Sequence, residues 1–255
     1  MAIPLELILL RGTAIGMRLS AALLFMPFFN SAAIPRQIKA LLVLVLTAIL
    51  YPVVHVAPQS LNPLAIAQMA GGEIMLGLVM GLCLQFVFEA VQLAGQISGF
   101  QLSFSLVNVI DPQTNVDTPV LANLHQLCML LVFLQLNVHH WILRAVESSF
   151  DRVPPGSVTF GIEQVRALFQ AAGGMFVAGV QLAAPVVLAT MVIDVTVGFV
   201  SKAAPQLPAL FLSVPLKSLL GYVVLALAFG LWPAFFEKQF AHALGWSWRM
   251  LEIGK

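Results

Sequence analysis

Charge is what this sequence lacks most. Only 9% of its 255 residues are charged, and 12 Lys or Arg against 11 Asp or Glu leave a formal net charge of +1. A soluble domain is about 25% charged, so these side chains cannot cover a water-facing surface of ordinary size. The small net charge excludes a general electrostatic attraction to nucleic acid. Cysteine is just as scarce. Cys83 and Cys128 both lie inside apolar runs, with neither a disulfide framework nor a metal-ligand spacing. They read as buried, inert thiols that behave as small hydrophobes. No GxSxG, HExxH or phosphate-loop pattern occurs, which leaves hydrolase, zinc-protease and nucleotide-driven chemistry without a residue to rest on. Catalysis, a metal and a cofactor are therefore not expected. The first ten residues carry no positive n-region and Arg11 interrupts the apolar stretch, so the first helix is expected to belong to the mature protein.

Apolar residues fill the space: 60% of the chain is hydrophobic and its mean hydropathy is +0.97. Surface of that kind needs lipid or apolar neighbouring subunits around it. Six apolar segments stand out, at about 7–29, 40–56, 74–110, 120–146, 171–200 and 207–236. Loops are expected at 30–39, around Pro58 and Pro63, and at 151–157. A short amphipathic piece is expected at 162–170, and a mildly basic tail follows Phe236. Spanning a bilayer takes about 20 apolar residues and forces helix or closed barrel. The segments show no strand-like alternation. The expected fold is an all-α, polytopic membrane protein.

Six alternating spans fit the charges poorly. Arg36, Lys39 and Lys202 would fall on one side, and Arg144, Arg152, Arg166 and the tail cations on the other, without the bias of the positive-inside rule. The third run is too long for one span and too short for two. Some helices are therefore expected to be broken hairpins packed against partner subunits.

Charges inside apolar runs are functional candidates because each is costly there. Arg11 and Arg18, seven apart, project from one helix face; Glu89, Asp194 and Lys217 lie within the third, fifth and sixth runs. Asp194 and Lys217 stand on consecutive runs and can pair across a hairpin. The five read as buried polar pins that fix helix register. A proton or ion relay, as in secondary transporters, is the competing reading, but no acids or histidines line up for one. His139, His140 and Trp141 resemble an interfacial belt.

Small residues point to close packing. Gly77 with Gly81, and Gly95 with Gly99, are two GxxxG patterns in the third run, a spacing that lets helix backbones approach. The stretch from Phe100 onward is unusual. It reads Phe100, Gln101, Leu102, Ser103, Phe104, Ser105, Leu106, Val107, Asn108, Val109, Ile110 and then runs into Asp111 and Pro112. Pro112 biases Asp111 away from helix. Non-helical backbone at membrane depth survives only inside protein or along an aqueous cavity, so a re-entrant or pore-facing loop with an apolar tip competes with a plain helix end and turn.

At this loop the sequence resembles the flagellar biosynthetic protein FliR family and the related subunit of virulence type III secretion systems. The resemblance is carried by Ala33 to Lys39 and by Ala94-Gly95-Gln96 through Gln101 to Asp111-Pro112. It continues in Pro119 to Ala122, Asn137 to Ile142, Ser149-Phe150 with Pro154, and Ala204 to Leu207 with Pro215. Where this chain has Leu102-Ser103 the family commonly has Met-Gly, and it has Gly where Val138 stands here. The resemblance implies a non-enzymatic subunit of an export gate in the bacterial inner membrane, at the flagellar basal body. FliP and FliQ subunits and FlhB are the implied partners, beside lipid. Unfolded flagellar proteins are the implied cargo. It further implies a FliP-like part at 1–160, a FliQ-like hairpin with the tail at 161–255, and a pore plug at about Phe100 to Asn115. A virulence export subunit and a stand-alone ion-coupled transporter are the alternatives.

Overall fold

The protein is described from a computed structural model covering residues 5–26, 29, 34–54, 62–103, 120–157, 161–206 and 208–253. Within these residues the regular structure is eight helices and no strand: α1 (Leu5–Leu24), α2 (Arg36–Leu50), α3 (Pro63–Gln101), α4 (Val120–Gln135), α5 (Val138–Arg152), α6 (Ile162–Ala203), α7 (Ala209–Phe229) and α8 (Trp232–Ile253). The chain is all-α. Among the described residues three helices, α3, α6 and the α7 stretch Phe211–Phe229, are long and apolar enough to cross a membrane, and α4 with α5 make a fourth if taken as one broken span. At 1.5 Å per residue, the 39 residues of α3 and 42 of α6 run to roughly 60 Å, about twice a hydrocarbon core.

Several boundaries differ from the sequence reading, each for a local reason. The third helix begins at Pro63, eleven residues before Ile74. Proline at the first helical position sacrifices no hydrogen bond, and the Asn62 Oδ1 accepts the Leu64 amide at 3.2 Å, so the residues read as a loop start a helix. The amphipathic piece at 162–170 is continuous with the fifth run in α6. The sixth run is divided after Phe229, because the Pro233 ring clashes with the carbonyl four residues earlier. The tail beyond it is helix α8. The fourth run is divided by Asn137, whose φ of 53° is left-handed, a region that Asn tolerates better than most residues. Arg36 and Lys39 form the first turn of α2 rather than a loop.

The chain forms two compact units: Met1–Val87, Asn137–Gly173 and Phe240–Lys255 make the first, and Phe88–Leu136 with Gly174–Gln239 make the second. In the first, Leu10 and Ala14 of α1 pack on Met69 of α3. Val79 and Cys83 of α3 pack with Ala167, Leu168 and Ala171 of α6 and with Trp246 of α8. In the second, Phe88 meets Phe133 edge-on at 5.6 Å, and Trp232 gathers Phe229, Phe236 and His125 around it at 4.4, 5.4 and 5.1 Å.

Candidate functional site

Among the described residues, Arg18 is the largest fully buried side chain. Its place in an apolar helix follows from three neighbours that together satisfy its fork. Nε donates to Glu73 Oε2 at 2.7 Å, Nη1 to Ser149 Oγ at 3.0 Å and Nη2 to the Val153 carbonyl at 3.0 Å. The guanidinium also lies 4.0 Å over the Phe150 ring. Arg18, Glu73 and Ser149 are fully buried. A planar, always charged fork suits such a site better than an ammonium. The centre ties α1, α3 and α5 at one point. The sequence reading does not reach Glu73, because with Pro63 in a loop it falls just outside the third apolar run. A helix counted from Pro63 would have included it.

The glycines bring backbones together around these groups. A Cβ on Gly77 would collide with the Arg18 carbonyl oxygen, and one on Gly81 would stand 2.7 Å from the Ala22 carbonyl oxygen. In the second unit a Cβ on Gly95 would sit 2.5 Å from Ala122 Cα, whereas one on Gly99 would lie at an ordinary 3.6 Å from Leu121. Three of the four glycines thus permit a close approach that no larger residue would, and Gly99 does not.

The remaining charges are spread out. Lys217 Nζ meets Asp194 Oδ1 at 2.6 Å, joining α7 to α6, with the lysine side chain mostly buried and the aspartate half exposed. Glu89 is half-buried. Arg11 is half-buried, with its guanidinium 4.6 Å over the Tyr51 ring. The rings of His139 and His140 lie 4.2 Å apart, tilted by 52° to each other. His125, which the sequence did not single out, is buried; its Nδ1 lies 2.8 Å from the Leu121 carbonyl.

Of the loop that begins at Phe100, only the base is described. Phe100 is exposed, Gln101 half-buried and Leu102 buried. The Leu102 side chain fills the space over Gly221, and the Ser218 hydroxyl donates weakly to the Leu102 carbonyl at 3.4 Å. Ser103 takes a left-handed φ of 66°, where glycine is the unstrained residue, so the chain leaves α3 through a strained turn fixed on α7. Phe104, Leu106, Val107, Asn108, Val109, Ile110, Asp111 and Pro112 lie outside the described residues.

Known proteins are similar to this chain over more than four fifths of its length. The family described as "Bacterial export proteins, family 1" matches residues 9–243. The flagellar biosynthetic protein FliR of Escherichia coli strain K12 is 27% identical over 225 residues, which is 88% of this chain and 86% of that protein. The FliR of Bacillus subtilis strain 168 is 29% identical over 211 residues, 82% of each chain. The FliR of Caulobacter vibrioides is 27% identical over 217 residues, covering 83% of this chain and 85% of its own.

Proposed function

The chain belongs to family 1 of the bacterial export proteins, the FliR family, and from that premise we propose that it is a pore subunit of the flagellar type III export gate. It would sit in the bacterial inner membrane at the flagellar basal body. There it would join FliP and FliQ subunits and FlhB, and unfolded flagellar proteins would pass through the channel it helps to form and close. The observation that carries this reading is the match over residues 9–243. The relatives reported above are named for flagellar biosynthesis, which favours that system over its virulence counterpart. The 1–160 part is taken as FliP-like and 161–255 as FliQ-like.

The physical character of the chain supports a conduit rather than an engine. Asp194 and Lys217 neutralise each other at 2.6 Å, an arrangement suited to holding two helices together and poorly suited to passing ions along. The loop from Phe100 to about Asn115 would plug the channel with Leu102, Phe104, Leu106, Val109 and Ile110, since an apolar constriction closes a pore by excluding water. Its anchor would be the Leu102 seat on Gly221. Transport would be passive at this subunit.

Affinity purification on a tagged copy tests the assembly, with FliP and FliQ homologues expected in the eluate. A monomer that takes up substrate on its own in liposomes would overturn it. For the plug, removal of Leu106 to Asn108 is expected to make the membrane leaky to small solutes. Unchanged conductance together with unchanged motility would sink the assignment.

A further inference from the structure

The close approach at Gly221 differs in kind from those at Gly77, Gly81 and Gly95. At those three the atom nearest to an added Cβ is backbone of the facing helix: the Arg18 carbonyl oxygen, the Ala22 carbonyl oxygen and Ala122 Cα. Such contacts part only when whole helices part. At Gly221 the three nearest atoms all belong to one side chain, Leu102, whose Cδ2 occupies the place a Cβ would need. A lone side chain fills this gap, and it can leave by turning about its own bonds.

The forces on Leu102 oppose each other. It stands just past Gln101, the last residue of α3, and is buried, which holds it in place. Its carbonyl accepts from the Ser218 hydroxyl at 3.4 Å, near the limit of a hydrogen bond. The next residue, Ser103, has a left-handed φ of 66°, unfavourable for a residue with a Cβ, and this strain pulls against the seat. The socket itself is held. Lys217, four residues before Gly221 and so on the same face of α7, meets Asp194 of α6 at 2.6 Å. Parting Leu102 from Gly221 therefore separates the end of α3 from α7 without displacing either helix.

We propose that Leu102 is a withdrawable catch: it holds the exit of α3 against α7 at rest and leaves Gly221 during export, with Gly221 and Ser218 as its positioning residues. This rests on the pore role proposed above and specifies what sets its resting state.

Two single variants and their combination test the seat, read by small-solute leak in cells and by recovery of the partner subunits on a tagged copy. Gly221→Val is expected to expel Leu102 and raise the leak about fivefold or more, because an apolar constriction closes a pore only where it is held. Leu102→Ala empties the seat and is expected to leak likewise. Together the two changes conserve the number of side-chain carbons, and volume-conserving exchanges are tolerated best. The combination is therefore expected to bring the leak back near its unaltered level, with partner recovery intact throughout. No leak from Gly221→Val, or no rescue by the combination, would overturn the catch. Should Gly221→Val lose its partners, Leu102→Ala decides, and a tight membrane there would overturn it.

Withdrawal is tested by Leu102→Cys with Gly221→Cys, in a chain whose Cys83 and Cys128 are replaced by Ala. An added thiol oxidant takes two electrons and two protons as the sulfurs join, and this bond is expected to stop export-dependent motility until a reducing agent breaks it. Motility that persists with the bond formed, as counted by free thiols, would show that the contact never opens. A pair that fails to oxidise would show that the two residues are not seated together, and either result sinks the proposal. Removal of Leu106 to Asn108 separates the two readings. If that removal leaks and Gly221→Val does not, the catch alone falls; if neither leaks, the pore reading falls first.

Discussion

Arg18 shows how one residue commands the packing of a unit. Its fork is shared among Glu73, Ser149 and the Val153 carbonyl, so removing one charge leaves the other buried alone. Such a loss typically costs about 3–5 kcal/mol, whereas replacing both partners with apolar residues is often close to neutral. Arg18→Ala and Glu73→Ala are therefore each expected to lower the unfolding free energy of this chain in the co-purified assembly in detergent by about that amount. Arg18→Met combined with Glu73→Met is expected to be milder than either, as read by denaturant titration. A double variant as damaging as the sum of the singles would show that the pair is not the source of the loss. Asp194 and Lys217 pose a different question, since a pin and a relay give opposite outcomes. The variant carrying both Asp194→Asn and Lys217→Met is expected to keep export-dependent motility at unaltered external-pH dependence. Loss of motility with a shifted pH profile would favour the relay.

At the scale of elements, helix contacts depend on where a Cβ fits. Gly77→Val and Gly95→Val press on backbone atoms of α1 and α4, and overpacking of this kind typically costs about 1–3 kcal/mol. Gly99→Ala meets only ordinary van der Waals distance. The first two are expected to lower the melting midpoint in detergent by several degrees and the third to leave it unchanged. Equal shifts for all three would mean that the GxxxG spacing matters and the contacts do not. The loop base has a signature of its own. Ser103 has φ 66°, and relieving a left-handed non-glycine residue is worth about 1 kcal/mol. Ser103→Gly is thus expected to raise the melting midpoint slightly, and Ser103→Val to lower it.

The molecule as a whole exposes more apolar surface than a protein in water tolerates. Only 33% of the apolar window of α6 and 11% of that of α7 is buried within the chain. Expressed alone, the chain is expected to run as aggregate or be degraded, while co-expression with the proposed partner subunits yields one sharp peak by size exclusion in detergent. A stable, monodisperse protein made without partners would contradict this. Composition alone leads to the same expectation, because 9% charge and 60% hydrophobic residues leave too little polar surface for a self-sufficient soluble domain.

Sequence by itself determined the class of the molecule: helical, membrane-bound, of the FliR family, with a polar break after the third run. Those properties are sums over many residues, and no single misplaced boundary alters them. Only the tertiary structure decided that α3 reaches back to Pro63, that Glu73 answers Arg18 across 55 residues, and that Gly221 seats Leu102. It also separated Gly95, which permits a close approach, from Gly99, which does not. Apolar runs give periods and lengths but no partners, because nearly every face of a helix in such a chain is apolar. Which face meets which neighbour is then settled by a few small residues and buried charges, whose distances exist only once the chain is folded.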